Sequence, residues 1–170
     1  MASGDYEIPK WALEAPDARG IIYNGIPRQY RFDGEQGRFL VGEKDCGTTL
    51  VVQLVDCRTT EAERWGRPLQ VWLDLVFVDL ANVVGVLALK KESAINLTEF
   101  FLAELAQTSH ARINPQAVQV TLLAEAREGE DGPYYVVVVE DWAFVPEPQF
   151  RAVQRWAKTT NFSWIFLGES

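Results

Sequence analysis

Arg58 is followed at short range by Arg64-Trp65-Gly66-Arg67, which sets an indole between two guanidinium groups. A flat ring stacks on the face of a base and cations meet phosphates, the two features that single-stranded nucleic acid presents along its length. Trp72 adds a second large ring, Lys90-Lys91 two more cations, and Tyr134 a phenol. Arg58, Arg64, Trp65, Arg67, Trp72, Lys90, Lys91 and Tyr134 are therefore the candidate contact residues. Each has a purely structural alternative. Trp65 can fold back onto the body of the protein while the arginines pair with Glu61 and Glu63. Trp72 can be covered by N-terminal residues or by a C-terminal helix. Lys90 and Lys91 can be solvated charges at a strand end beside Glu92.

Catalytic chemistry finds less support. His110, the sole histidine, lies in Thr-Ser-His-Ala-Arg without an identifiable nucleophile and orienting carboxylate, so it reads as a solvated loop residue. Asp74 and Asp79 suggest a metal or acid/base pair, but five-residue spacing along a strand places them on opposite faces. Gly34, Gly37 and Gly42 lack the lysine and hydroxyl of a phosphate loop. Cys46 and Cys57 with one histidine do not make a zinc set, and two reduced thiols are expected. The sequence predicts binding rather than catalysis, with no cofactor and no metal.

The 170 residues, 48% hydrophobic and 12% aromatic, suffice for one substantial core, and a single domain with additions is expected. Six Trp, five Tyr and nine Phe are too many rings for all to be fully buried. Sixteen basic against twenty-four acidic residues give a net charge of -8, which argues against broad attraction to polyanions, so a nucleic-acid partner requires a local basic groove. Lack of a basic N-terminal segment leading an apolar run, and of any apolar stretch of roughly 18 to 20 residues, points to a cytoplasmic protein without membrane contact.

The elements that must position these residues follow from hydrophobic period. Residues 1–47 form an ordered extension with apolar anchors Tyr6, Ile8, Trp11 and Leu13, and contain a hairpin in which Tyr30, Phe32, Phe39 and Val41 alternate around Asp33-Gly34. A β-branched and aliphatic run marks a strand over residues 48–55, followed by a charged loop over 57–68. Residues 69–79 alternate, with Leu69, Val71, Leu73, Leu75 and Phe77 on one face and Trp72 on the other. A turn at Ala81-Asn82 leads into a third strand over 83–89.

Ala94, Leu97, Phe101 and Leu105 then recur at helical spacing, with Ser93 or Asn96 as the cap and Asn96-Glu99 as a capping box. Val118, Val120 and Leu122 mark a fourth strand, the polar cluster 128–133 a turn, and 134–144 the returning strand, in which one of Tyr134 and Tyr135 points inward. Trp142 is assigned to the core. Residues 149–158 form a C-terminal helix through Phe150, Val153 and Trp156, and Phe162, Trp164 and Phe166 belong to an apolar tail.

Strand-strand-strand-helix-strand-strand over residues 48–145 resembles the OB-fold, a five-stranded β-barrel with its helix between strands three and four. In its exposed rings and cations the chain also resembles the OB-type single-stranded DNA-binding proteins of bacteria, phages and plasmids, although their flexible acidic tail is absent and no signature string is present. The resemblance implies a mainly β chain that binds single-stranded DNA, or RNA, in replication, recombination or repair. Binding would fall on strands two and three, between the strand 1–2 and strand 4–5 loops. Two other readings stand beside it: a protein-interaction or scaffold module, or homo-oligomer, that uses Phe162, Trp164 and Phe166, and a small-ligand barrel.

Overall fold

The computed structural model describes residues 20–105 and 114–161. The N-terminal anchors Tyr6 to Leu13, His110 and the apolar tail Phe162 to Leu167 lie outside the described residues. Eight strands make one curled half-barrel sheet: β1 (Arg28–Asp33), β2 (Arg38–Val41), β3 (Lys44–Asp45), β4 (Thr49–Ala62), β5 (Gln70–Asp79), β6 (Val84–Lys90), β7 (Val118–Gly129) and β8 (Gly132–Phe144). Two helices accompany it, α1 (Lys91–Glu99), which widens into a π-helical turn (Phe100–Leu105), and α2 (Glu147–Thr159). The chain is thus mainly β. The sheet order is β3-β2-β1-β6-β5-β4-β7-β8, antiparallel throughout except where β1 lies parallel to β6.

Alternating apolar residues build the core on the concave side. Leu50, Val52 and Leu54 of β4, Leu73, Leu75 and Phe77 of β5, Leu87 and Leu89 of β6 and Val118, Val120 and Leu122 of β7 all face inward. Helix α1 closes one side with Ala94, Leu97 and Phe100, and the β1–β2 hairpin adds Tyr30 and Phe39. Phe101, expected in the helix stripe, packs only partly against this core because the π turn breaks the 3.6-residue period and brings Phe100 in instead. Trp142 is likewise only partly buried against the core.

The N-terminal strands are integral to the sheet. On its far side from β5, β6 bonds to β1, and the hairpin turn reaches β8, where the Tyr135 N-H donates to the Gly34 carbonyl at 2.8 Å. Gly37, at φ +69°, lies so close to the Tyr135 ring that a Cβ there would be 2.7 Å from it. Tyr135 is therefore the tyrosine turned toward neighbouring structure, and Tyr134 is exposed. The sheet is not the five-stranded barrel expected from the sequence: β4 to β8 belong to an eight-stranded half-barrel, in which β1 rather than β8 takes the free edge of β6.

Gly85 shows how tight this junction is. A Cβ on it would stand 2.8 Å from the Phe77 ring and 2.9 Å from that of Tyr30. Gly85→Ala is expected to destabilise the fold by about 1–3 kcal/mol through overpacking, read as a lower urea midpoint at unchanged m-value.

The convex face is divided. Its lower half, Val55, Val76, Val78, Val84 and Val86, is covered by Ala152, Val153 and Trp156 of α2 and by Ile21. Tyr23 packs edge-on against Trp156 at 5.3 Å. The upper half, over the start of β5 and the end of β6, carries polar and aromatic residues instead. The capping expected of Ser93 and Asn96 is not what these residues do, since α1 begins at Lys91 with no side-chain cap on Lys90. The Val137 N-H donates to Ser93 Oγ at 2.9 Å and Asn96 Nδ2 donates to the Val137 carbonyl at 3.0 Å. β8 is an edge strand, and these two bonds satisfy peptide groups that would otherwise lack partners inside the protein.

Candidate functional site

A single β-bulge decides which side chains share the upper convex face. Leu50, Val52 and Leu54 point inward, so continued alternation would send Arg58 and Thr60 inward as well. Between Leu54 and Asp56 the register against β5 shifts by one residue, and Val55 turns out beneath α2. Beyond the bulge Arg58 pairs with Asp74, which pairs with Ala88 of β6, and Thr60 pairs with Trp72, which pairs with Lys90. The segment expected as a loop over residues 57–68 is strand as far as Ala62. Its side chains find cross-strand partners on β5, which local composition does not reveal.

Asp74 is the centre of this face and is fully buried, at 0% exposure. Arg64 grips it with both terminal nitrogens, Nη2 donating to Oδ2 at 3.0 Å and Nη1 to Oδ1. Arg58 Nε and Thr60 Oγ1 each donate to Oδ2 at 3.0 Å. A buried carboxylate is tolerated only where donors replace lost water, and four donated bonds do so here. Arg64 is itself buried and stacks over the Trp72 ring, its guanidinium carbon 5.5 Å from the centroid. Trp72 is buried as well, with Nε1 donating to the Ala62 carbonyl at 3.1 Å.

Arg64 and Trp72 therefore form a floor rather than a contact surface. Against the Trp72 ring stand Arg64 and Trp65 from the 63–69 loop and Lys90 from β6. Arg64 does not go to Glu63 but to Asp74.

The loop that follows is thrown outward by its own backbone. Trp65 and Gly66 have φ of 51° and 71°, and the Arg67 N-H donates to the Arg64 carbonyl at 2.9 Å, closing a tight turn. Glycine adopts this left-handed region freely, whereas a tryptophan there costs roughly 1–2 kcal/mol and needs surrounding structure to hold it. Arg64, locked in the floor, supplies that hold. Trp65 consequently stands 50% exposed, edge-on to Trp72 with ring centroids 5.3 Å apart.

Lys90 reaches the same floor from β6, its Nζ 6.0 Å from the Trp72 centroid. Partial burial, and then repulsion from Arg67 and Lys91, lower its pKa to about 8. Lys91 follows at φ 52° and is exposed, as is Arg67. The structure thus gathers Arg58, Arg64, Trp65, Arg67, Trp72, Lys90 and Lys91 around one patch. Tyr134 is engaged elsewhere: its hydroxyl bonds to Glu92 at 3.3 Å, and Glu92 pairs with Arg127 at 2.7 Å.

Two members of the patch, Asp74 and Thr60, were not among the candidates. The available signal was an aspartate set between apolar neighbours on a strand face, flanked in sequence by arginines. Asp79, once considered with Asp74, serves the β5–β6 turn. Its Oδ1 accepts from the N-H groups of Ala81 and Val83, and its Oδ2 from Arg28 at 2.9 Å and Tyr30 at 2.7 Å. Burial and this bond to Asp79 push the Tyr30 hydroxyl up to about 12, so it stays a neutral donor.

On the concave side, Val71, Leu73, Ala94 and Ile95 line a mostly apolar groove of about 430 Å³ between β5 and α1, and Lys91 and Glu99 border it as well. Among the described residues no three metal-ligating side chains gather, and Cys46 and Cys57 are free thiols. Among the same residues no helix is long and apolar enough to cross a membrane. No protein-family model matches the chain, and no curated protein is significantly similar to it.

Proposed function

We propose that this chain binds single-stranded nucleic acid, DNA in the first instance, on the upper convex face of β4, β5 and β6, without catalysing a reaction. The observation that carries this reading is Trp65, held half-exposed in a left-handed conformation beside Arg67, Lys90 and Lys91. An exposed ring on a fixed floor is a stacking platform, and cations around it meet the phosphates that flank a stacked base.

The order β4-β5-β6-α1-β7-β8 supports an OB-like reading of this part of the sheet, whose second and third strands and first loop are the usual binding surface of that fold. The protein would act in the cytoplasm, in replication, recombination or repair. With a net charge of -8, attraction is confined to this patch, which favours a short contact over a long wrapped path.

Intrinsic tryptophan fluorescence titrated with oligo-dT tests the reading. Quenching is expected, with affinity falling as salt rises at a log-log slope of about -2, since Arg67, Lys90 and Lys91 would release about 0.7 counterion each on a single strand. Emission unchanged at saturating oligo-dT and low salt would rule the function out.

A further inference from the structure

Helix α1 has a second row of side chains that the core does not use. Ala94, Leu97 and Phe100 hold it to the sheet, while Lys91, Ile95 and Glu99 recur every four residues beside them. Val71 of β5, on the same side of its strand as buried Leu73, forms the other wall of the groove along this row. Ile95 and Val71 are 56% and 55% exposed, so both walls present apolar surface to water. Lys91 and Glu99 border the groove eight residues apart, about 12 Å along the helix. Among the described residues neither has an ion-pair partner. Glu61, opposite Val71 in the β4–β5 ladder, is exposed beside it.

We propose that this groove docks an extended peptide segment of a protein partner, which sets an acidic residue at Lys91, an apolar one between Val71 and Ile95, and a basic one at Glu99. Size and charge select this occupant. A volume of about 430 Å³ along about 12 Å leaves a channel about 6 Å across, half of the roughly 10–12 Å that a helix requires. A small apolar ligand needs roughly 70–90% of its surface enclosed, and walls this open do not enclose it. Nucleic acid is disfavoured by two acids against one lysine. In an extended peptide, residues i, i+2 and i+4 share one face and span about 13 Å, which matches the distance from Lys91 to Glu99. Thr59 and Gln70 also line the groove, and their side chains are available to the peptide backbone. The groove lies across the sheet from Trp65, so this inference is independent of the nucleic-acid reading.

The test titrates the methyl-labelled full chain with the acetylated and amidated peptide Glu-Thr-Ile-Thr-Lys and follows it by NMR. Saturable shifts of the Ile95 and Val71 methyls are expected, while those of Val153, covered on the other face, stay in place. Glu99→Lys should weaken this peptide roughly three- to tenfold and strengthen Glu-Thr-Ile-Thr-Glu by a similar factor, since a surface attraction becomes a repulsion and the reverse. Ile95→Asp, at an exposed position, should abolish binding with the circular dichroism unchanged. No shift at millimolar peptide, or a Glu99→Lys protein that keeps the wild-type preference, overturns the proposal. Two further results overturn it by naming another occupant. Ile95 and Val71 shifts that grow with protein concentration alone would give the groove to a second copy of the chain. Saturable shifts with decanoate but with neither peptide would give it to a small amphiphile.

Discussion

Asp74→Ala is expected to lose about 3–5 kcal/mol of folding stability, the largest single effect on this fold, because it leaves the buried Arg64 guanidinium without its counter-charge. Arg64 cannot simply swing into water. It is held under the Trp65–Gly66 turn and stacked on Trp72, and it is only 5% exposed. Arg58 and Thr60 lose a shared acceptor at the same time. Removing both charges is a different matter, since apolar residues of similar size frequently replace a buried ion pair at little cost. Asp74→Leu combined with Arg64→Met should therefore recover most of the loss, although the turn that displays Trp65 would no longer be anchored. Urea unfolding monitored by circular dichroism measures all of these. An Asp74→Ala protein within about 1 kcal/mol of wild type would mean that the charge is hydrated rather than buried.

Trp65→Ala is expected to weaken oligonucleotide binding by about 1–3 kcal/mol, roughly 5- to 150-fold, with little change in unfolding free energy. The two halves of this expectation have separate causes. In binding, the ring is the exposed stacking surface of the patch, while Trp72 lies beneath it and is buried. In stability, a half-exposed ring gives up modest burial and one edge-on contact with Trp72, worth about 0.5–1.5 kcal/mol. Trp65→Phe should retain most of the affinity, since stacking needs a flat ring more than an indole. Equal affinity for the alanine and wild-type proteins would show that the ring is not the platform, and attention would move to the groove beside Ile95.

Much of the secondary structure could be read along the chain because its cause is local. Leu73, Leu75 and Phe77 alternate with Asp74 and Val76, and this period of two is written into β5 whatever surrounds it. Val153 and Trp156 likewise mark α2 by spacing. The end of β4 could not be read this way. Residues 56 to 62 are charged and hydroxylic, a composition typical of loops, and they are extended because β5 supplies a ladder for them. Ser93 and Asn96 have the residue types of a helix cap, and only the proximity of the β8 edge reassigns them.

The candidate patch divides along the same line. Arginines, tryptophans and a lysine pair at the ends of predicted strands were sufficient to nominate one face, and the structure does assemble seven of those eight residues there. Their roles were not legible. Arg64 and Arg67 are equivalent as letters, yet one is the buried clamp on Asp74 and the other an exposed cation. Trp65 and Trp72 are equivalent in the same sense, one ring displayed and the other serving as its support. Tyr134 pairs with Glu92 through the docking of α1 against β8, a contact between residues far apart in the chain.

By itself the sequence determined a mainly β chain, the helix between its third and fourth long strands, and a short basic and aromatic stretch in an otherwise acidic protein. Each of these depends on composition or on a period spanning a few residues. Tertiary structure decided the bulge after Leu54, the convergence of Arg58, Thr60 and Arg64 on one buried carboxylate, and the placement of the β1–β2 hairpin against β6 and β8. A shift of one residue in strand pairing exchanges the two faces of a sheet, and that register is set by core packing across the whole molecule rather than by any local run of residues.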